Sequence, residues 1–277
     1  MNTSGVALLI FDQPNSRANI LNLALWQEFR QALGECQADS SIRGLVLASA
    51  KPGIFIAGAD LKFLGALPTP NDPAARAFME FGTATLELLE TLPFPTCAAI
   101  DGAALGGGLE VALACDTRLV GTHPKVELGL PETRLGLIPG WGGTQRLPRI
   151  VGLPLACEML ANTITFPAEE ACTRGLASAV VQSDKLLEFA QRHVLLEGWQ
   201  SLREAKRLPV PKHERNRFQA PVPSAPAAIR EAMVLLNTGT ELPLPEAIRL
   251  ETEAFLRLAG SEESRRRIAE FFSQKKA

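Results

Sequence analysis

Three consecutive glycines place the tightest constraint on what this chain can fold into. In Asp101-Gly-Ala-Ala-Leu-Gly-Gly-Gly-Leu-Glu110 a short aliphatic strand runs out and glycines let the backbone approach other atoms closely. An apolar helix is then expected to begin around Gly107. The first amides of such a helix have no partner inside it and lie at the positive end of its dipole. Gly107 therefore offers an N–H to an anion, and Glu110, three residues on, shares its face. The same residues also fit a plainer role, in which the glycines let a helix pack on a sheet and Glu110 favours its first turn. A second glycine-bearing turn, Phe55-Ile-Ala-Gly-Ala-Asp60-Leu61, follows the expected strand Arg43–Ser49 and precedes another helix. Two such turns can converge as an oxyanion hole.

Around these turns the periodicity alternates. Aliphatic or β-branched runs at Val6–Phe11, Arg43–Ser49, Thr96–Ile100 and Thr117–Val120 predict buried strands. Leu23–Cys36 and Ala74–Leu92 carry apolar residues at helical spacing, and the alternation of strand with helix defines an α/β class. After Pro148 the pattern predicts helices at Leu153–Asn162, Ala168–Gly175 and Lys185–Trp199, with one further strand at Ala179–Val181. Prolines at 209, 211, 221, 223 and 226 among polar residues read as an exposed connector. Amphipathic helices are expected beyond it at Ala227–Leu236, Pro245–Leu258 and Ser261–Phe272. The expected division is a catalytic core over 1–200 and a connector with a helical subdomain over 201–277.

Composition removes several classes of function. With 28 Lys+Arg against 30 Asp+Glu the net charge is −2, which supplies no basic field for nucleic acid or an anionic membrane. The five cysteines, at 36, 97, 115, 157 and 172, are odd in number and contain no C-x-x-C pair. That suits neither a disulfide framework nor zinc, and a reducing compartment, the cytoplasm, is expected. The three histidines, at 123, 193 and 213, form no H-E-x-x-H, and G-x-S-x-G, G-x-x-x-x-G-K-[ST] and G-x-G-x-x-G are absent. No metal site and no nucleotide-driven chemistry is indicated. The most apolar stretch, Cys97–Cys115, is broken by Asp101 and Glu110, so neither a membrane span nor an export signal is expected.

The stretch Glu127–Arg149 is rich in Gly and Pro and too long for an ordinary turn, a pattern typical of functional loops. Within it Glu132 follows a proline and is surrounded by apolar residues; a solvated loop carboxylate is the alternative reading.

Taken together, AGADL at 57–61, GAALGGGLEVALACD at 102–116 and LPETRLGLIPGWGGTQRLPR at 130–149 resemble the crotonase (enoyl-CoA hydratase/isomerase) superfamily. The chain is most similar to the hydratase portion of multifunctional fatty-acid-oxidation α subunits. No dehydrogenase segment follows Ala277, so a separate paralogue or an excised domain is expected. The resemblance implies a crotonase-like ββα superhelical core with a C-terminal helical subdomain. It implies an enoyl-CoA hydratase of fatty acid β-oxidation, adding water across the 2,3 double bond of a 2-trans-enoyl-CoA to give a 3-hydroxyacyl-CoA. The alternative is Δ3-Δ2-enoyl-CoA isomerisation, alone or as a second activity. An RNA-binding role through Arg265, Arg266, Arg267, Lys275 and Lys276, or a noncatalytic assembly role, is disfavoured by the net charge and by the intact glutamate pair.

Carried over residue by residue, the resemblance implies that the amides of Ala59 and Gly107 bind the thioester oxygen and that Glu110 and Glu132 are the catalytic carboxylates. Glu110 would orient and deprotonate water, and Glu132 would protonate the α-carbon. Arg17, Ala18, Ala57, Asp60, Leu61 and Lys62 would lie on the coenzyme A side, and Gly140 would orient the water. Trp141, at the variable position of IPGxGGTQRLP, would line the acyl pocket or simply pack. Asp116 and Arg146 are expected to hold structure rather than react. No cofactor is implied, since coenzyme A is the substrate carrier. The implied partners are the acyl-CoA thioester and other β-oxidation enzymes, in a homotrimer or hexamer.

Overall fold

The computed structural model describes residues 5–222 and 226–274. Pro223 of the connector and Lys275 and Lys276 of the basic tail lie outside the described residues. The chain forms two compact units that alternate along the sequence. The first comprises Met1–Ala59, Ala84–Gly129 and Thr165–Ala205, and the second Asp60–Thr83, Leu130–Ile164 and Lys206–Ala277.

Every strand among the described residues belongs to the first unit: β1 (Val6–Phe11), β2 (Gly44–Ser49), β3 (Gly53–Ile56), β4 (Thr96–Ile100), β5 (Gly102–Leu105), β6 (Thr117–Gly121), β7 (Glu127–Gly129), β8 (Thr165–Phe166) and β9 (Ala179–Val181). From β2 to β7 successive strands alternate between two sheets. One is a parallel sheet in the order β1-β2-β4-β6-β9; the other runs β3-β5-β7-β8, parallel except for β8 against β7. The larger sheet comes from the aliphatic runs read in the sequence, and β4 is buried along its whole length, as parallel strands covered on both faces must be. One layer of the core joins Val46, Ala48, Cys97, Ala99 and Leu119 to Leu186, Ala190 and Val194 at helix Leu186–His193. Elsewhere helix Leu23–Ala38 buries Trp26 and Phe29, with Phe29 edge-on to Phe11 at 5.1 Å.

The smaller sheet is not legible from periodicity. Its strands have two to four residues, too few to alternate visibly. Gly53 and Gly102 face each other across β3 and β5. A Cβ on Gly102 would stand 2.5 Å from the Gly53 carbonyl oxygen, so glycine here marks two strands that nearly touch.

One helical expectation is corrected. Lys185–Trp199 is not one helix: Leu186–His193 ends, and Trp199–Arg207 starts anew after Gly198. The new helix is fixed by Arg203, which donates to Asp116 through Nε (2.8 Å) and Nη2 (2.6 Å) and also to the carbonyls of Leu92 and Phe94. The described part of the Pro-rich segment is exposed at most positions, as expected, but it is not structureless. It holds a short helix, Lys212–Arg217, and buries Val210 and Ala220. The Asn237 side chain brackets Ala220, accepting from its N–H at 2.7 Å and donating to its carbonyl at 2.9 Å. Proline removes backbone donors, so such a segment is held by side chains and apolar contacts rather than by a ladder. The three C-terminal helices form as expected, at Ala227–Gly239, Leu244–Leu258 and Glu262–Gln274. No helix among the described residues is long and apolar enough to cross a membrane.

Burial pushes the Cys97 thiol up to about 11. At about pH 8 the native protein is expected to leave Cys97 unmodified by iodoacetamide under conditions in which the urea-unfolded chain is labelled there, read by peptide mass. Native labelling at a comparable rate would show that the larger sheet opens readily.

Candidate active site

In the first unit, Ile56 of β3 lies beside Ala104 of β5, so the glycine turns that follow the two strands leave the sheet side by side. Gly58 (φ 115°) and Gly106 (φ 54°) supply backbone conformations that side chains resist. The turns then meet. A Cβ on Gly58 would lie 3.1 Å from the Leu105 carbonyl oxygen, and one on Gly108 would lie 2.8 Å from the Ile56 carbonyl carbon and closer still to its oxygen. The turn carrying Ala59 therefore lies directly against the turn carrying Gly107.

Asn19 ties these elements together, and it was not foreseen. Fully buried, it donates through Nδ2 to the carbonyls of Phe11 (3.1 Å) and Phe55 (2.9 Å) and to Ser49 Oγ (2.9 Å), while Oδ1 accepts from Gln13 N (3.0 Å). Its main chain continues the job: its carbonyl accepts from Ala57 N–H at 2.9 Å, and Leu21 N–H donates to Gly58 O at 2.9 Å, with Leu21 paired beside Ala59. One side chain thus links the ends of β1 and β2 to the end of β3, next to the Ala57–Ala59 turn. Locally Asn19 resembles Asn22, which merely caps helix Leu23–Ala38 by accepting from Leu25 N at 2.9 Å. Asn19→Ala is expected to lower stability by roughly 2–4 kcal/mol, seen as a lower urea midpoint at unchanged m, because it strands buried partners. An unchanged midpoint would show that water replaces all four bonds.

Gly107 opens helix Gly107–Ala114, and its N-cap, Gly106, has no side chain with which to satisfy the first amides. Leu109 and Glu110 donate back to the Gly106 carbonyl at 2.8 and 3.0 Å. Every residue of the helix is buried, Glu110 included at 1% exposure. A carboxylate in the first turn is favoured by the helix dipole, which helps to hold its charge out of water. Of the other first-unit candidates, Arg17 and Ala57 are exposed and Ala18 is half-buried.

The second unit carries the remaining candidates. Asp60 caps helix Leu61–Gly65, accepting from Lys62 N (2.9 Å) and Phe63 N (3.2 Å); Leu61 is half-buried and Lys62 exposed. Glu132, half-buried, opens a single 3₁₀ turn, Glu132–Leu135, right after Pro131. That turn is clamped on several sides. Thr133 Oγ1 donates to Leu160 O (3.2 Å), Arg134 Nη2 to Thr163 O (3.1 Å), and Arg267 Nη1 to Arg134 O (3.3 Å). Gly136 ends it in the left-handed conformation, close enough to helix Glu262–Gln274 that an added Cβ would lie 3.3 Å from Ser264 Cα. The C-terminal helix is thereby part of what places Glu132. Gly140 and Trp141 are both buried. The Trp141 indole fills the space that Gly82 leaves, where a Cβ would be 2.8 Å from Cε2. It meets Phe78 edge-on at 5.3 Å, and Phe78 in turn meets Phe63 at 5.0 Å.

Residues 1–207 match the family model described as enoyl-CoA hydratase/isomerase, and the chain belongs to that family. Over 186 residues it is 44% identical to the fatty acid oxidation complex subunit alpha of Shewanella halifaxensis, an alignment that covers 67% of this chain and 26% of that protein. The chain thus spans about a quarter of the length of the curated relatives it matches. An enoyl-CoA hydratase from Bacillus anthracis has a similar structure, with a TM-score of 0.64 and 30% identity over 99% of this chain and 95% of that one. Human mitochondrial delta3-delta2-enoyl-CoA isomerase shares the fold, with a TM-score of 0.73 and 24% identity over 99% and 95% of the two chains.

Proposed function

We propose that the chain is an enoyl-CoA hydratase, adding water to a 2-trans-enoyl-CoA to form a 3-hydroxyacyl-CoA. The observation that carries this reading is the abutment of the Ala59 and Gly107 turns, with the buried carboxylate of Glu110 one helical turn beyond Gly107. Addition of water to a conjugated thioester places negative charge on the carbonyl oxygen. Two fixed amides, of Ala59 and Gly107, would stabilise that oxygen, each worth about 3 kcal/mol. Glu110 takes a proton from the water as its oxygen bonds to C3, and Glu132 delivers a proton to C2; return of a proton from Glu110 to Glu132 by way of solvent resets the pair, so the sum is addition of one H₂O. Arg17, Ala18, Ala57, Asp60, Leu61 and Lys62 would face the coenzyme A portion, and Gly140 the water. The reaction consumes only thioester and water and calls for no further cofactor.

Family membership embraces both hydration and isomerisation; the presence of two glutamates supports hydration, because moving a double bond needs one proton-shuttling acid. The relatives named as fatty acid oxidation subunits support a product passed on to other β-oxidation enzymes. The test is loss of the conjugated enoyl-thioester absorbance on mixing the protein with a short 2-trans-enoyl-CoA, with mass analysis for the added water. A rise in that absorbance from 3-enoyl-CoA, with no hydration of the 2-enoyl substrate, would make the protein an isomerase instead.

A further inference from the structure

In the second unit, helix Leu244–Leu258 buries one carboxylate completely, that of Glu251 at 0% exposure. It reaches the start of helix Gly143–Val151, far away in sequence. Oε1 accepts from Gly142 N–H at 2.5 Å, and Oε2 accepts from Thr144 N–H at 2.7 Å and from Thr144 Oγ1 at 2.5 Å. On the other side of the same turn the buried guanidinium of Arg146 donates through Nη1 to the Trp141 carbonyl. Gly142 has φ 97°, and a Cβ there would lie 2.9 Å from Arg146 Cζ and overlap its Nη1. An anion and a cation, both out of water, therefore grip the two polar ends of the one peptide unit that joins Trp141 to Gly142, its N–H and its carbonyl.

Capping alone does not require this. A Ser, Thr or Asp at the N-cap position would satisfy a helix start for about 1 kcal/mol without burying a distant charge. The geometry matters because of what the turn carries. The Trp141 indole is seated over Gly82 and against Phe78, so its ring is located from one side by that slot and from the other by its own main chain.

We infer that Glu251 is a positioning residue: by holding Gly142 and Thr144 it fixes the Trp141 wall and thereby sets which acyl-chain lengths are accepted. This rests on the reading of the chain as an enzyme of enoyl-CoA thioesters with Trp141 along the acyl chain. Glu251→Gln replaces one accepting oxygen with an NH₂ group that faces N–H or O–H donors, leaving the shape almost unchanged. Thr144→Val removes only the hydroxyl donor.

The experiment measures kcat and KM of the whole chain for a four-carbon and a long-chain 2-trans-enoyl-CoA, with thermal unfolding and acrylamide quenching of tryptophan fluorescence run alongside. For Glu251→Gln the expected result is kcat on the four-carbon substrate within about threefold of wild type. The ratio of kcat/KM between the two chain lengths should shift by about tenfold, mostly through KM, with stronger quenching. Thr144→Val should move the ratio the same way by a smaller factor. A lower unfolding temperature with the ratio and quenching unchanged overturns the proposal, because a merely structural role moves stability alone. If Glu251→Gln does not fold, an unchanged ratio in Thr144→Val overturns it. If the wild-type protein turns over neither thioester, the enzymatic reading fails separately. Positioning of Trp141 is then judged by quenching, and wild-type quenching in Glu251→Gln rejects it.

Discussion

Glu110→Gln protein is expected to fold normally and to hydrate a short 2-trans-enoyl-CoA at least ~10³-fold more slowly than wild type. The substitution keeps size and planarity, so the packing of helix Gly107–Ala114, in which every residue is buried, is preserved. What disappears is the capacity to take a proton. Glu132→Gln should show a loss of similar order in the same assay, since in the proposed step Glu110 removes a proton from the attacking water and Glu132 supplies the proton that C2 gains. The two differ structurally: Glu110 stands in the first turn of a buried helix, whereas Glu132 stands on a short turn held by Thr133, Arg134 and Arg267. Steady-state hydration rates on protein with wild-type urea midpoints are the measurement. A Glu110→Gln rate within tenfold of wild type would remove that residue from proton transfer while leaving the amide pair in place.

The second large effect is expected from a single methyl group. Gly108→Ala directs a Cβ into the Ile56 carbonyl, with the carbon 2.8 Å away and the oxygen closer. The obstacle is backbone, so no rotamer change relieves it. Either the start of helix Gly107–Ala114 or the end of β3 must move, and these elements carry the Gly107 amide and lead into the Ala59 amide. The expected outcome is a loss of about 3 kcal/mol in stability and at least ~10²-fold in kcat, since a donor displaced from its oxyanion loses most of its effect. Gly34→Ala makes the control, because nothing lies within 4 Å of a Cβ there and the site is inside helix Leu23–Ala38. It should be neutral or stabilising by up to about 1 kcal/mol. Denaturant titrations and turnover of both variants decide the matter. Near-wild-type kcat in Gly108→Ala would mean that the two turns do not act together.

How far the sequence carries a reader can be judged element by element. Val6–Phe11, Thr96–Ile100, Ala179–Val181 and helix Leu153–Asn162 form with the boundaries that hydrophobic pattern and turn residues predict. The helix at Gly107 also begins where its glycines and following apolar run place it. These are local matters: period, branching and the conformational range of glycine are properties of a few neighbouring residues. The second sheet escaped because its strands are too short to show a period.

For the site the division is similar. Motifs in the chain proposed Ala59, Gly107, Glu110 and Glu132 as site residues, with the resemblance implying roles that spacing alone left open. Asn19 and Glu251 were invisible. Asn19 bonds to a carbonyl 36 residues away, and Glu251 to an amide 109 residues away. A carboxylate on an amphipathic helix reads as a solvated charge until the partner that buries it is known. The sequence by itself determined the strands of the larger sheet, which turns demand glycine and which residues bear ionisable groups, because those follow from each residue and its neighbours. Only the tertiary structure decided which turns touch, which polar side chains leave water and which helix holds which loop. Those outcomes depend on hydrogen bonds and close contacts between segments whose separation along the chain leaves no local trace.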